Sequence, residues 1–311
     1  MKEAVYLDAR KKPFIKRLNE SKYLLILFFP CFLYFLIFKY LPMFGIVISF
    51  KNYNVFKGIM DSPWVGLKYY KMFFKNPDSI NIIRNTILLG IYKLVWSFPA
   101  PIAFALVLNE VANGAFKRVV QTVSYLPHFI STVIIAGMIL QFTSPRNGLF
   151  NVVLMGFGLE PINFMVLPQW FRTVYIGSEI WQDIGWSAII YLAALAGINP
   201  ELYEAATVDG ANKWHKMWSI TIPSIAPTIV TLFILNTGKV LDIGFEKVFL
   251  LYNPAIYKTA DVISTYVYRI GLQQRSFSYA TAINMSQSVV SLVLVLSTNY
   301  MSRKLSETSL W

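Results

Sequence analysis

Glu179, Gln182, Asp183 and Trp186 fall at steps of three, four and seven residues inside an otherwise apolar segment over 176–197. That spacing puts all four on one helix face. A carboxylate at membrane depth costs about 2.5 kcal/mol or more even on permissive insertion scales, so such a face must meet a cavity or a partner. A ring beside hydrogen-bonding side chains suits a sugar, whose C–H faces stack on aromatics while its hydroxyls need paired donors and acceptors. An ion pair with Lys93, with Lys239 or with a second subunit would account for the same carboxylates. Asn236 in the segment over 224–240, and Asn284, Gln287 and Ser288 in that over 279–301, add further polar positions that are candidates for lining a path.

Nothing in the chain is equipped for covalent chemistry. There is no G-x-x-x-x-G-K-[ST] loop, since Gly238-Lys239 lacks the upstream glycine, no H-E-x-x-H and no paired-cysteine spacing. His128 has no second ligand at metal spacing, and Cys31, the one cysteine, lies in an apolar run. The chain is therefore expected to be no enzyme, to hold no metal and to draw its energy from another chain.

The elements that must carry these residues are membrane spans. Of 311 residues, 56% are hydrophobic and only 14% charged, which reads as an all-α integral membrane protein. The formal net charge of +12 is scattered through loops and tails, which points to anionic membrane lipid as a partner and away from nucleic acid. The expected organisation is a basic tail over 1–22, a first, uncleaved transmembrane helix over 23–50, an external loop over 51–84, a core with five further spans over 85–301, and a tail over 302–311. Within the core the spans are expected over 85–111, 116–142, 176–197, 224–240 and 279–301, with loops over 143–172 and 241–277. Prolines 99 and 101 are expected to bend the second span. Six spans place both termini on one side, and the basic N-terminus makes that side the cytoplasm.

Between two spans lies a polar stretch over 199–219. Asn199 suits an N-cap, Pro200 the first helical position, and Glu201 and Glu204 the positive end of the helix dipole. Gly210 permits a sharp turn, and a second short helix is expected from Ala211 to Ser219, before Pro223 and Pro227. The result is a helix-turn-helix knob on one face of the bilayer.

Glu204-Ala205-Ala206, then Asp209-Gly210-Ala211, then Ile220-Thr-Ile222-Pro223 and Pro227 resemble the EAA loop of binding-protein-dependent ABC importer permeases. Ile222 stands where leucine is usual and Met217 where an aromatic is common. Trp64-Val65-Gly66-Leu67 and Trp181-x-x-x-Gly185-Trp186 are similar to elements of the oligosaccharide- and polysaccharide-uptake branch. The resemblance implies a six-helix type I ABC importer permease fold in a bacterial plasma membrane. It implies a knob, with Glu204, Ala205, Ala206, Asp209 and Gly210, that inserts into an ATPase. It implies as partners a second homologous permease, two ATPase subunits and an extracellular solute-binding protein, with ATP and magnesium bound on the ATPase and no cofactor on this chain. The cargo it implies is an oligosaccharide derived from a polysaccharide or glycan. A permease for amino acids, phosphate or polyamines, or a self-sufficient secondary transporter, is the alternative. The transporter alternative predicts internal repeats, and none is evident.

Overall fold

The computed structural model describes residues 20–112 and 114–306; most of the basic tail expected over 1–22, and the last residues of the tail expected over 302–311, lie outside them. The chain divides between Gly66 and Leu67 into two units. In the first, α1 (Lys22–Phe50) is apolar all round and buries only Ser49. A polar turn then closes on itself. Val65 N–H donates to the Phe50 carbonyl at 2.8 Å, Trp64 stacks on Phe50 with centroids 5.7 Å apart, and the Ser62 hydroxyl donates to the Gly58 carbonyl at 2.6 Å.

The second unit begins with α2 (Lys68–Lys75) and α3 (Pro77–Asn109), so helix starts inside the region expected to be an external loop. Asn76 caps α3 by accepting from Asp78 N–H at 3.0 Å, and Pro77 occupies the position where no N–H is needed. There follow α4 (Gly114–Tyr125), α5 (Thr132–Phe142), α6 (Leu149–Gly156) and α7 (Pro168–Ala196). After these come α8 (Pro200–Val208), α9 (Lys213–Gly238), α10 (Phe245–Leu251), α11 (Tyr257–Ala260), α12 (Ile263–Tyr268) and α13 (Phe277–Ser306). Among the described residues there is no strand, only two isolated bridges in the first unit. Four helices, α1, α3, α9 and α13, are long and apolar enough to cross a bilayer. A bent pair joining Gly114–Phe129 to Thr132–Phe142 brings the number to five. At 29 residues α7 has the length, but Arg172, Glu179 and Asp183 interrupt its apolar run.

Three of the expectations change. The third span is not straight: Leu126–Phe129 forms a 3-10 turn around Pro127, and the chain bends by 103° before Thr132. The knob's second helix does not stop before Pro223 but continues as α9. The reason is a widened turn. A proline ring collides with the carbonyl four residues back, and a π turn, bonding i to i+5, moves that carbonyl aside. Such a turn over Met217–Thr221 precedes Pro223, another over Lys93–Ser97 precedes Pro99, and a third over Leu36–Tyr40 precedes Pro42. Finally, the region expected as a loop over 241–277 contains several short helices. Val248, Leu251, Ile256, Val262 and Tyr266 are all buried, so its short helices form part of the core.

Lipid tails are as apolar as leucine, so helices in a bilayer associate through close packing more than through burial from water. Here α7 is the centre. It packs most heavily on the Pro99–Asn109 half of α3, where Ala105, Ala188, Tyr191, Leu195 and Ile225 form one core cluster. A second cluster joins Leu89, Ile135, Phe171, Tyr175 and Ile243. Gly185 abuts α4 so closely that a Cβ there would collide with the Ser124 carbonyl.

Candidate functional site

A polar cavity of about 240 Å³ opens between α3, α7 and the end of α9. Lys93, Ser97, Glu179, Asp183, Asn236 and Lys239 line it. Lys93 reaches it from the first residue of the wide turn, where Phe98 N–H bonds the Lys93 carbonyl at 2.9 Å. Its Nζ lies 3.0 Å from Glu179 Oε2. Glu179 Oε1 takes a second ammonium, Lys247 Nζ at 3.3 Å, and Lys247 also donates to Gln182 Oε1 at 3.0 Å. One carboxylate therefore bridges two lysines from separate elements, with Gln182 satisfying a further proton. A charge buried without such partners would be costly. Of the pairings expected for Glu179, Lys93 is found and Lys239 is not. Lys247 was not anticipated.

One turn further along α7, Asp183 Oδ1 lies 2.7 Å from His128 Nδ1. The His128 ring stacks on Trp186 with centroids 4.6 Å apart and planes 5° from parallel, and Phe129 meets Trp186 edge-on at 5.4 Å. His128 and Phe129 end the segment Gly114–Phe129, which packs along α7, and the chain changes direction only after them, before Thr132. Trp186 keeps 43% of its surface exposed and the Asp183 side chain 44%, so ring and carboxylate remain open to a ligand.

Asn236 sits on the cavity wall, its amide donating to the Leu232 carbonyl at 2.8 Å. The positions on α13 do not join this cavity. Asn284 and Ser288 are exposed, with the Ser288 hydroxyl donating to the Asn284 carbonyl at 3.0 Å. Gln287 donates to the Leu241 carbonyl at 2.6 Å and lines a separate apolar cavity of about 520 Å³. Two other buried links hold the unit together. Asn85 donates to the carbonyls of Lys258 and Asp261, both at 3.1 Å, and accepts from Arg172 at 2.9 Å. Asp261 is clasped by both Nη atoms of Arg269 and accepts from Thr265 at 2.8 Å. Beside it, burial first and then the Tyr279 hydroxyl hold the Tyr266 phenol above its ordinary value, so it stays neutral and can accept from Asn76 at 3.0 Å.

The knob lies at the other end of α7. Asn199 caps α8 by accepting from Glu201 N–H at 3.1 Å. At its far end Gly210 N–H bonds the Thr207 carbonyl at 3.1 Å and Ala211 N–H the Ala206 carbonyl at 2.8 Å. This is a Schellman closure, and it requires the left-handed conformation that Gly210 adopts at φ +77°. Tyr203 and Thr221 share a hydroxyl bond of 2.9 Å, and Lys216 donates to Thr207 at 2.7 Å, so α8 is fixed to the start of α9. Glu204, Ala205, Asp209 and Gly210 are exposed and Ala206 is half-buried. Val208, Trp214 and Trp218, at 89%, 69% and 65% exposed, add a large apolar surface beside them. A patch of this kind marks a surface that meets a protein or a membrane.

Residues 97–307 match the family described as binding-protein-dependent transport system inner membrane component. The chain is similar to the polygalacturonan/rhamnogalacturonan transport system permease protein YteP of Bacillus subtilis (strain 168), 43% identical over 99% of this chain and 96% of that one. It is similar to protein LplB of the same organism, 42% identical over 94% of this chain and 92% of the relative. Among solved structures it resembles a chain of a bacterial alginate ABC transporter in complex with alginate pentasaccharide-bound periplasmic protein. There the identity is 42%, the TM-score 0.89, and the match covers 96% of this chain and all of the other.

Proposed function

Because this chain belongs to the binding-protein-dependent transport system inner membrane component family, we propose that it is the permease subunit of an ATP-driven importer of oligosaccharides derived from a polysaccharide. The observation that carries the reading is the exposed, Schellman-closed knob that presents Glu204 at the end of the helix bearing the polar cavity. In this reading α7 is the fourth of six spans, both termini are cytoplasmic, and the knob enters a groove on a separate ATPase that binds ATP and magnesium. Glu204, Ala205, Ala206, Asp209 and Gly210 form the contact. A second permease completes the path, and an extracellular binding protein delivers cargo. The alginate ABC transporter structure, solved with its periplasmic protein, supports a binding protein as one of those partners.

The cargo class is supported by the relatives' names and by the His128–Trp186 platform beside Asp183, which pairs a stacking surface with a hydrogen-bonding group. Asn284, Gln287 and Ser288, on α13 outside this cavity, are proposed to meet the second permease.

The test is affinity purification of the tagged protein from its native membrane, with identification of the chains that come with it. A second permease and a Walker-motif ATPase are the expected companions. Recovery of a stable assembly of this chain alone would overturn the proposal in favour of a self-sufficient transporter.

A further inference from the structure

Arg172 stands on the second turn of α7. One edge of its guanidinium is anchored, with Nη2 donating to the buried Asn85. Its Nε is buried without a hydrogen-bond partner, and among the described residues no carboxylate pairs with it. A groove of about 620 Å³ runs from this group along the helix. Gln169, Arg172 and Thr173 form its polar end, and Ile176, Gly177 and Ile180 continue it over the next two turns. Trp96 on the facing helix is 62% exposed, so the groove is open.

Depth assigns these two ends to different layers of a bilayer. At 1.5 Å per residue the 29 residues of α7 extend about 43 Å, enough for about 30 Å of hydrocarbon and most of both headgroup layers. The Ala196 end leads into the knob, so Arg172 falls in the headgroup layer of the opposite face, and Ile180 lies about 12 Å deeper, in hydrocarbon.

We propose that this groove holds one anionic phospholipid, its phosphate on Arg172 and Gln169 and an acyl chain against Ile176, Gly177 and Ile180. The proposal rests on α7 crossing the bilayer with the knob on one face, as the proposed function requires. Guanidinium to phosphate is the favoured planar pairing, and the Arg172 guanidinium has a donor still without a partner. A sugar carboxylate fits less well. The groove's rings, Tyr92 and Trp96, follow Asn85 by two to three turns of α3, which takes them below the level of Arg172 and leaves the polar end without a stacking surface.

The experiment uses the assembled transporter, purified in mild detergent from its native membrane, with retained phospholipid counted per complex by mass spectrometry. Wild type is compared with Arg172→Gln, Arg172→Lys and Gly177→Leu. Because Arg172 also braces Asn85, Gly177→Leu is the independent probe: a Cβ there meets nothing within 4 Å, so the leucine fills the groove and leaves the brace intact. Arg172→Gln and Gly177→Leu are each expected to retain one anionic phospholipid fewer per copy of this chain than the wild type, and Arg172→Lys to keep it in part. Unchanged anionic lipid in Arg172→Gln and Gly177→Leu would overturn the proposal. So would lost cargo uptake in Arg172→Gln at unchanged lipid content, which would assign the arginine to cargo. A wild-type complex that retains the lipid yet lacks an ATPase would count against the permease reading alone.

Discussion

Lys247 Nζ lies 3.3 Å from Glu179 Oε1, although 68 residues of chain separate them and the Lys247 side chain is only 4% exposed. The carboxylate that looks like a path-lining group in the sequence is thus also a structural clasp, tying α10 to α7 and, through Lys93, to α3.

Lys247→Met should lower the stability of the purified complex by about 3 kcal/mol, because it removes one partner of a buried pair. Glu179→Gln should cost more, since it leaves two ammonium groups facing each other. Combining the two changes should cost less than their sum. Thermal melting of the three variants tests this, and strict additivity would show that the groups do not interact.

Gly210→Ala should strain the left-handed turn by about 1–2 kcal/mol and loosen the end of α8. Uptake should fall while the amount of protein in the membrane stays normal. Glu204→Ala, which leaves the turn intact, should give ATP hydrolysis without uptake. Normal import by both variants would remove the knob from the coupling mechanism.

Trp186→Ala removes the ring on which His128 stacks. Stacking on aromatics contributes about 0.5–1.5 kcal/mol beyond area burial, so the cargo concentration giving half-maximal uptake should rise severalfold, with ATPase association unchanged. Unaltered transport kinetics would reduce the platform to a packing contact.

Arg269→Lys should destabilise the complex by about 1–3 kcal/mol despite the retained charge, because an ammonium cannot reproduce the two-pronged grip on Asp261. The same guanidinium lies over Tyr257 and Tyr266, at 5.1 and 5.4 Å from the ring centroids, and those contacts weaken with it. Wild-type melting behaviour would contradict this.

The knob was legible because its signals are local: Asn199, Pro200 and Gly210 each act on backbone within a few residues. The polar face of α7 was legible for the same reason, since helical spacing alone puts Glu179 and Trp186 together. Its partners were harder to read. Lys247 sits in a segment that looked like a loop, and nothing in Phe245–Leu251 says which helix its ammonium will meet. His128 lay inside the span expected over 116–142, and nothing near it in sequence pointed to Asp183 or Trp186 as its neighbours. The 3-10 turn around Pro127, in which the imidazole stacks on Trp186, interrupts what was expected as one span. On α13 the period put Asn284, Gln287 and Ser288 on one side without saying whether that side turns toward the cavity, and it does not.

The wide turns before Pro42, Pro99 and Pro223 also act as phase shifts. Each slips roughly one extra residue into the winding, and since an α-helix advances about 100° per residue, the helical wheel drawn before the turn is rotated by about that angle after it. In α3, a stripe traced from Ile82 through Asn85 and Leu89 therefore cannot be extrapolated past Ser97 to find the face that buries Ala105 and Leu108. Winding the same residues as uninterrupted α-helix would swing the Ala105 face about 100° away from α7, whereas deleting one residue between Lys93 and Ser97 would remove the wide turn and leave that face where it is. The apparent irregularity is what keeps both halves of the helix in register with the same neighbour.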